Sequence, residues 1–303
     1  MKSPTVYGGQ AVLEGVMIRG RGCISTAVRL PDGHIAVRSR PISSLTERFR
    51  LLSWPFLRGP VHLFESLSIG IQELFYSVEQ VGGEDEKITP AEAGLTIGVS
   101  FALAIGLFML FPTVLVSLAG RHLSGGIWLN LLEGGARLGI FLLYLALISR
   151  MPDIQSFFAY HGAEHRVING WENGTDMSPG SLKEQSVIHP RCGTSFVVLV
   201  ALVSVVIFSF FGWPGVFQRL LIRLVTIPLV ASVAYEVVRL AGRGFGPAVA
   251  LSAPGLMLQR LTTREPDDAR VEVALAAFSG ARSFEEVEVN PDAGQAREAS
   301  SKV

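Results

Sequence analysis

Two histidines four residues apart, His161 and His165 in "YHGAEHRVING", carry the first chemistry in this sequence. Residues i and i+4 lie one turn apart on one face of a helix, and two imidazoles so placed can hold one divalent metal. Glu164 precedes His165, which gives the order H-x-x-E-H. That is the reverse of H-E-x-x-H and is known from inverzincin peptidases. In such a site the glutamate is the general base. The bland reading is two buried histidines hydrogen-bonded to neighbours, with Glu164 on the surface.

A third ligand would favour a metal. Glu172 shares the helical stripe, but seven residues beyond His165 is roughly 10 Å along the axis, too far for ligand bonds of about 2 Å. It reaches the metal only if the helix breaks near Gly170. "HPRCGTS", residues 189–195, offers His189 and Cys192 instead. Here the bland reading is a capping loop with an ordinary buried cysteine. Four protein ligands would close a structural site, whereas three would leave a catalytic position open. The donor types suit zinc first. Glu14, in "GGQAVLEGVM", is a second candidate catalytic carboxylate if its segment docks over the 150–193 loop. Otherwise it is a surface or hydrogen-bonded strand residue.

The elements that must position these residues are membrane helices. Nearly half of the 303 residues are hydrophobic, and 17% are charged. Leu95–Gly120 and Thr194–Gln218 contain no charged residue. Each exceeds the roughly 20 residues that cross a hydrocarbon core. The expected fold is a mainly α integral membrane protein, a four-span bundle with spans near 94–119, 127–149, 195–212 and 219–241. Glu133 and Arg137 lie in the second span, four apart, and can pair. Pro112 can kink the first. Together with the 150–193 loop, the membrane domain covers residues 94–245.

Residues 1–42 read as a small β-rich segment, with "CISTAVRL" and "HIAVRSR" flanking a "PDG" turn. The segment is too short to bury much core alone. Residues 43–93 hold an amphipathic helix and a connector, the helix having its apolar stripe at Leu63, Phe64, Leu67, Ile71, Leu74, Phe75 and Val78. Residues 246–287 form a C-terminal helical segment, in which 261–278 reads as an amphipathic helix with Thr263 as its cap. A disordered tail is expected at 288–303. The N-terminus lacks the apolar run of a secretory signal. Two cysteines imply no disulfide framework. A net charge of zero gives no reason for a nucleic-acid partner.

Lys and Arg counts orient the bundle. Nine of them lie in residues 1–60, and Arg150, Arg166, Lys183 and Arg191 lie in the long loop. Both termini and the candidate site are then cytoplasmic, and Cys192 is reduced.

In order along the chain, "YGGQAVLEGVM", "YHGAEH", "HPRCGTSF" and "PGLMLQRLTTREPDDARVEVA" resemble the YqhQ family of bacterial multi-pass membrane proteins. The likeness covers about residues 5–280. The family is a domain-of-unknown-function group described as predicted metal-dependent enzymes. The resemblance implies a bacterial plasma-membrane location. It also implies a metal, carried onto His161, Glu164 and His165 and, less directly, onto His189 and Cys192. Where the family motif continues with Lys, this chain has Arg166.

Three readings stay open. One is a membrane-embedded metal-dependent hydrolase acting on a membrane protein, peptide or lipid. The second is a membrane scaffold or assembly factor with a structural His/Cys site and a cytosolic or membrane protein partner. The third is a transporter or haem-binding bundle. Charges clustered at span ends argue against transport, and two histidines on one turn cannot be opposite axial ligands of one haem.

Overall fold

The computed structural model describes residues 6–83, 88–119 and 126–289. The expected tail at 288–303 therefore lies almost wholly outside the described residues. Four strands, β1 (Gly8–Val12), β2 (Gly15–Arg19), β3 (Cys23–Arg29) and β4 (Ile35–Pro41), form an antiparallel meander in chain order. Strand alternation sends successive side chains to opposite faces. Both faces are covered by this chain's own helices.

A four-residue helix, α1 (Leu45–Arg48), and a single 3-10 turn lead into α2 (Arg58–Gly82). Val12, Met17, Ile24 and Val28 pack beneath α2, against Ile69, Tyr76 and Val81. The face of α2 turned to the sheet is not the apolar stripe read from the periodicity. Its buried residues are Glu65, Gly70, Glu73 and Ser77, while Phe64, Leu67 and Leu74 stay exposed. The sheet supplies the reason. Glu73 accepts hydrogen bonds from Thr26 Oγ1 and Arg38 Nη2, both at 2.8 Å, and from Arg40 Nη2 at 2.9 Å. A helix turned the other way would leave these charges unmatched against the apolar stripe.

The apolar bundle begins with α3 (Pro90–Ile105), a π-helical stretch at Gly106–Leu110, and α4 (Phe111–Ala119), which run on as one helix. The π stretch lies just before Pro112. Proline has no N–H and crowds the carbonyl four residues back. That carbonyl, Phe108 O, instead accepts a hydrogen bond from Arg137 Nε at 2.9 Å. Arg137 stands on α5 (Gly126–Ile148). After three residues the chain enters α6 (Pro152–Glu172), the helix of the two histidines. Pro152 opens it at a position where a missing N–H costs nothing.

A short helix, α7 (Pro179–Leu182), precedes α8 (Gly193–Ser209), α9 (Val216–Ala241), α10 (Gly246–Thr262) and α11 (Asp268–Val289). Among the described residues, three helices are long and apolar enough to cross a membrane: Pro90–Leu118, Gly126–Ile148 and Val216–Ala241. The fourth expected span, α8, is apolar but has only 17 residues, about 25 Å of helix against a core of about 30 Å. The C-terminal region holds two helices. The chain between them is extended at Thr263, the residue expected to cap a single helix.

On the second face of the sheet, Ala11, Val16, Ile18, Cys23 and Ala27 meet residues of α6 and α11, among them Tyr160, Val167, Ala274 and Phe278. At the other end of α2, Arg58 pairs with Glu236 of α9 at 2.6 Å. The α2 helix thus ties the sheet to the bundle.

Glu73 yields a prediction. Burial alone would raise its carboxyl, but the hydrogen bonds from Thr26, Arg38 and Arg40 outweigh that and hold it below the ordinary carboxylate range. A depressed folded-state pKa contributes stability above the unfolded value and loses it as pH falls. The wild type should lose stability below about pH 4.3 through this group. Glu73→Ala should cost about 3 kcal/mol at neutral pH and flatten the acid limb. Thermal unfolding across pH reads both effects.

Candidate metal centre

The two histidines of α6 point into a cleft closed by β1, α2 and the segment before α8. His161 Nδ1 lies 2.8 Å from the Thr262 carbonyl, and His165 Nδ1 lies 2.6 Å from the Val187 carbonyl. A carbonyl can only accept, so each Nδ1 carries the proton and donates it. With the proton on Nδ1, the neutral form of each ring has its lone pair on Nε2. This is the outer-shell arrangement that orients metal-binding histidines.

Cys192, the N-cap residue of α8, brings its sulfur to the same place. His161 Nε2 and Cys192 Sγ are 3.2 Å apart, and the two imidazole centroids are 4.4 Å apart. One ligand atom from each of His161, His165 and Cys192 can be chosen so that all lie within 4.8 Å of one another. Metal–nitrogen bonds of about 2.0 Å and metal–sulfur bonds of about 2.3 Å in a tetrahedral site separate their donors by about 3.3–3.7 Å. The three residues form a group that could hold a metal ion, with their ligand atoms spread up to 4.8 Å, somewhat wider than that spacing. Thr194 Oγ1, 3.2 Å from the sulfur, is a further polar neighbour.

Glu164 sits beside the cluster, with Oε2 3.5 Å from His165 Nε2. It is only 4% exposed. Burial raises its carboxyl to about 7; nearby His161 opposes the shift and Glu172 adds to it. Gly9 of β1 presses on this side chain. A Cβ at Gly9 would stand 2.9 Å from Glu164 Cγ and 2.5 Å from the Met17 carbonyl. The second glycine of "YGGQ" is the signal in the sequence for this close approach.

His189 is turned to a different partner. Its Nε2 lies 3.5 Å from Glu172 Oε2, and its ring centroid is 5.7 Å from that of His165. Burial lowers its imidazole to about 4, against the opposing effect of Glu172. Gln259 fixes the backbone on both sides of this residue: Oε1 accepts from His189 N at 2.9 Å, and Nε2 donates to His189 O at 2.8 Å. Glu172 also pairs with Arg191. The helix continues unbroken to Glu172, so this carboxylate stays away from the cluster.

Glu14 occupies the β1–β2 turn with φ of 46° and does dock on α6. Its carboxylate accepts from Ser156 Oγ and Tyr160 OH, each at 3.1 Å. Burial and this carboxylate raise the Tyr160 hydroxyl above its ordinary pKa. Glu14 is not among the residues lining the cleft. The structure brings together His161, His165, Cys192 and Glu164, and sets His189 and Glu14 on either side. The partners that sequence reasoning missed are Thr262, Val187 and Gln259. The two residues that orient the rings act through backbone carbonyls, which any residue type supplies.

The cleft holds about 810 Å³ and is mostly apolar. Leu67, Ile71 and Leu74 of α2 and Phe157 and Phe158 of α6 form its walls, with the His/Cys cluster at its base.

A mainly helical protein with candidate membrane-spanning helices and a His/His/Cys cluster beside a small antiparallel sheet is thereby defined. The chain belongs to the family described as "Protein of unknown function (DUF1385)", whose model matches residues 54–283. It is 34% identical over 294 residues to the "Uncharacterized protein YqhQ" of Bacillus subtilis (strain 168), covering 92% of each chain. No solved structure matches.

Gly9 makes the sheet contact testable. Gly9→Ala should destabilise by about 1–3 kcal/mol through overpacking. Gly8→Ala should be silent, since a Cβ there meets nothing within 4 Å. Equal melting temperatures for the two variants would contradict the close approach of β1 to Glu164.

Proposed function

We propose that the chain is a membrane-embedded metal-dependent hydrolase whose site uses His161, His165 and Cys192 as ligands and Glu164 as general base. The observation that carries this reading is the convergence of two Nε2 lone pairs and one thiol, with both Nδ1 protons already given to carbonyls. Zinc is the ion that suits two imidazoles and a thiolate. When bound, such an ion supplies Lewis acidity that polarises a substrate oxygen and acidifies a water.

The chain's own groups do the rest. His161 and His165 hold their rings fixed through Thr262 and Val187. Glu164 takes a proton at a carboxylate oxygen as the nucleophile attacks, and returns it to the leaving group. Gly9 and β1 exclude water from one side of this carboxylate. The apolar cleft walls favour a substrate that partitions from the bilayer, a lipid or a membrane peptide. We place the sheet, α6 and the cleft on the cytosolic side of a bacterial plasma membrane, on the excess of Lys and Arg in the first 60 residues.

Elemental analysis of the purified protein should find one zinc per chain. His161→Ala and Cys192→Ser should each lower it to background. Glu164→Gln should retain the metal and lower turnover about 10²–10⁴-fold, read as substrate accumulation in lipid and membrane-peptide profiles of a deletion strain carrying the variant. A metal-free wild type would sink the reading. Full metal with an active Glu164→Gln would leave a structural site in a scaffold.

A further inference from the structure

The end of the bundle opposite the cleft holds a second charged cluster. The α5 helix reaches the cleft side at Ile148, so Gly126 begins it at the other end, and α9 starts back from there at Val216. Glu133, on the second turn of α5 beyond its start, is 1% exposed. Residues 93–132 and 185–235 contain no Asp or Glu, so no other carboxylate lies on α4, on α8 or in α9 before Glu236.

Three guanidinium groups face it. Arg137 Nη2 donates to Glu133 Oε1 at 3.2 Å, and Arg223 Nη2 donates to Oε2 at 2.5 Å. Arg219 Nη1 stands 3.6 Å from Oε2, beyond a hydrogen bond. One negative charge is thus set against three positive ones, well inside the apolar helices. A charge removed from water needs a partner of opposite sign.

The shortfall is concentrated on Arg219. It is 4% exposed, and its Nε and Nη1 have no hydrogen-bond partner among the described residues. Nη2 donates to Ser117 Oγ at 2.7 Å, and the Trp213 ring lies 3.7 Å from Cζ. Arg223 already has Glu133 and Thr113, and Arg137 has Phe108 O as well. The described connection at this end, residues 210–215, contains no acid. Among the described residues at this end, none besides Glu133 supplies an anion. A phosphate ester presents paired oxygens that match the guanidinium fork. Phospholipid headgroups carry that group at the membrane boundary where α9 begins.

We propose that Arg219, with Ser117, Trp213 and Arg223 around it, forms a phosphate-ester site at this end of the bundle, occupied by a phospholipid headgroup. The site is independent of the His/Cys cluster and stands whether or not that cluster binds metal.

The test uses the full-length protein extracted and washed in detergent. Native mass spectrometry should show a phospholipid retained by the wild type and by Arg282→Gln, a change on α11 far from the site. Arg219→Gln should lower retention about tenfold, and Arg219→Lys, which keeps the charge but not the fork, should fall between. Adding phosphatidylglycerol to stripped wild-type protein should raise Tm by about 5 °C. Inorganic phosphate in a parallel sample identifies the source: protection by it alone would keep the phosphate site and overturn the lipid. Equal lipid retention by wild type and Arg219→Gln overturns the proposal. If Arg219→Gln fails to fold, the wild-type arm decides, and no Tm rise from either phosphate source overturns it.

Discussion

The Nδ1 protons of His161 and His165 go to two main-chain carbonyls, Thr262 and Val187, and much of the architecture follows from holding those carbonyls in place. Thr262 is the last residue of α10, where a helix leaves carbonyls without partners. His161 satisfies one of them and gains its orientation in return. The linker beyond it must then cross α6 closely. Arg264 N donates to Phe158 O at 2.9 Å, and the Arg264 carbonyl lies where a Cβ at Gly162 would be. The glycine inside "HGAEH" is therefore part of the site, since any side chain there would lift the linker and carry Thr262 away from His161.

The same segment leads into α11, which covers one face of the sheet. The sheet in turn places Gly9 against Glu164. A closed chain of contacts runs from α6 through α10, the linker, α11 and the strands back to α6. Each link is short-range, and none depends on the membrane. The histidine pair belongs to this unit of sheet and helices although α6 follows α5 with three residues between.

Spacing showed which residues share a helix face, but not what that face meets. The three-and-four interval put His161 and His165 together, and residue type singled out Cys192. His189 had the same credentials and is drawn off by Glu172 and Gln259, a pairing set by the path of the loop. Glu14 was placed on α6 only conditionally; the actual contact is through Tyr160 and Ser156, away from the cleft. For α2 the period was helical, yet the buried side is the one with Glu73 and Gly70, because Arg38, Arg40 and Gln10 of the sheet demand it. Glu133 and Arg137 were legible as an i,i+4 pair. Arg223 joins them from a helix ninety positions on, a meeting that no local pattern encodes.

What sets the width of the cleft is α2, whose two ends are fixed by different ion pairs. Near one end Arg58 holds Glu236 of α9, and His62 stacks on Tyr235 at 5.4 Å. Further along, Glu73 is clamped by Arg38 and Arg40 of the sheet. Between them Gly70 lies against the amide of Gln10, which a Cβ there would have to displace. The helix therefore cannot slide toward α6 without breaking a buried charge pair, nor roll without separating Gly70 from Gln10. Its apolar stripe, left unburied by the sheet, forms a wall of the cleft through Leu67 and Leu74. The polar contacts that turn the stripe away from the sheet are thus the ones that give the His/Cys cluster an apolar approach.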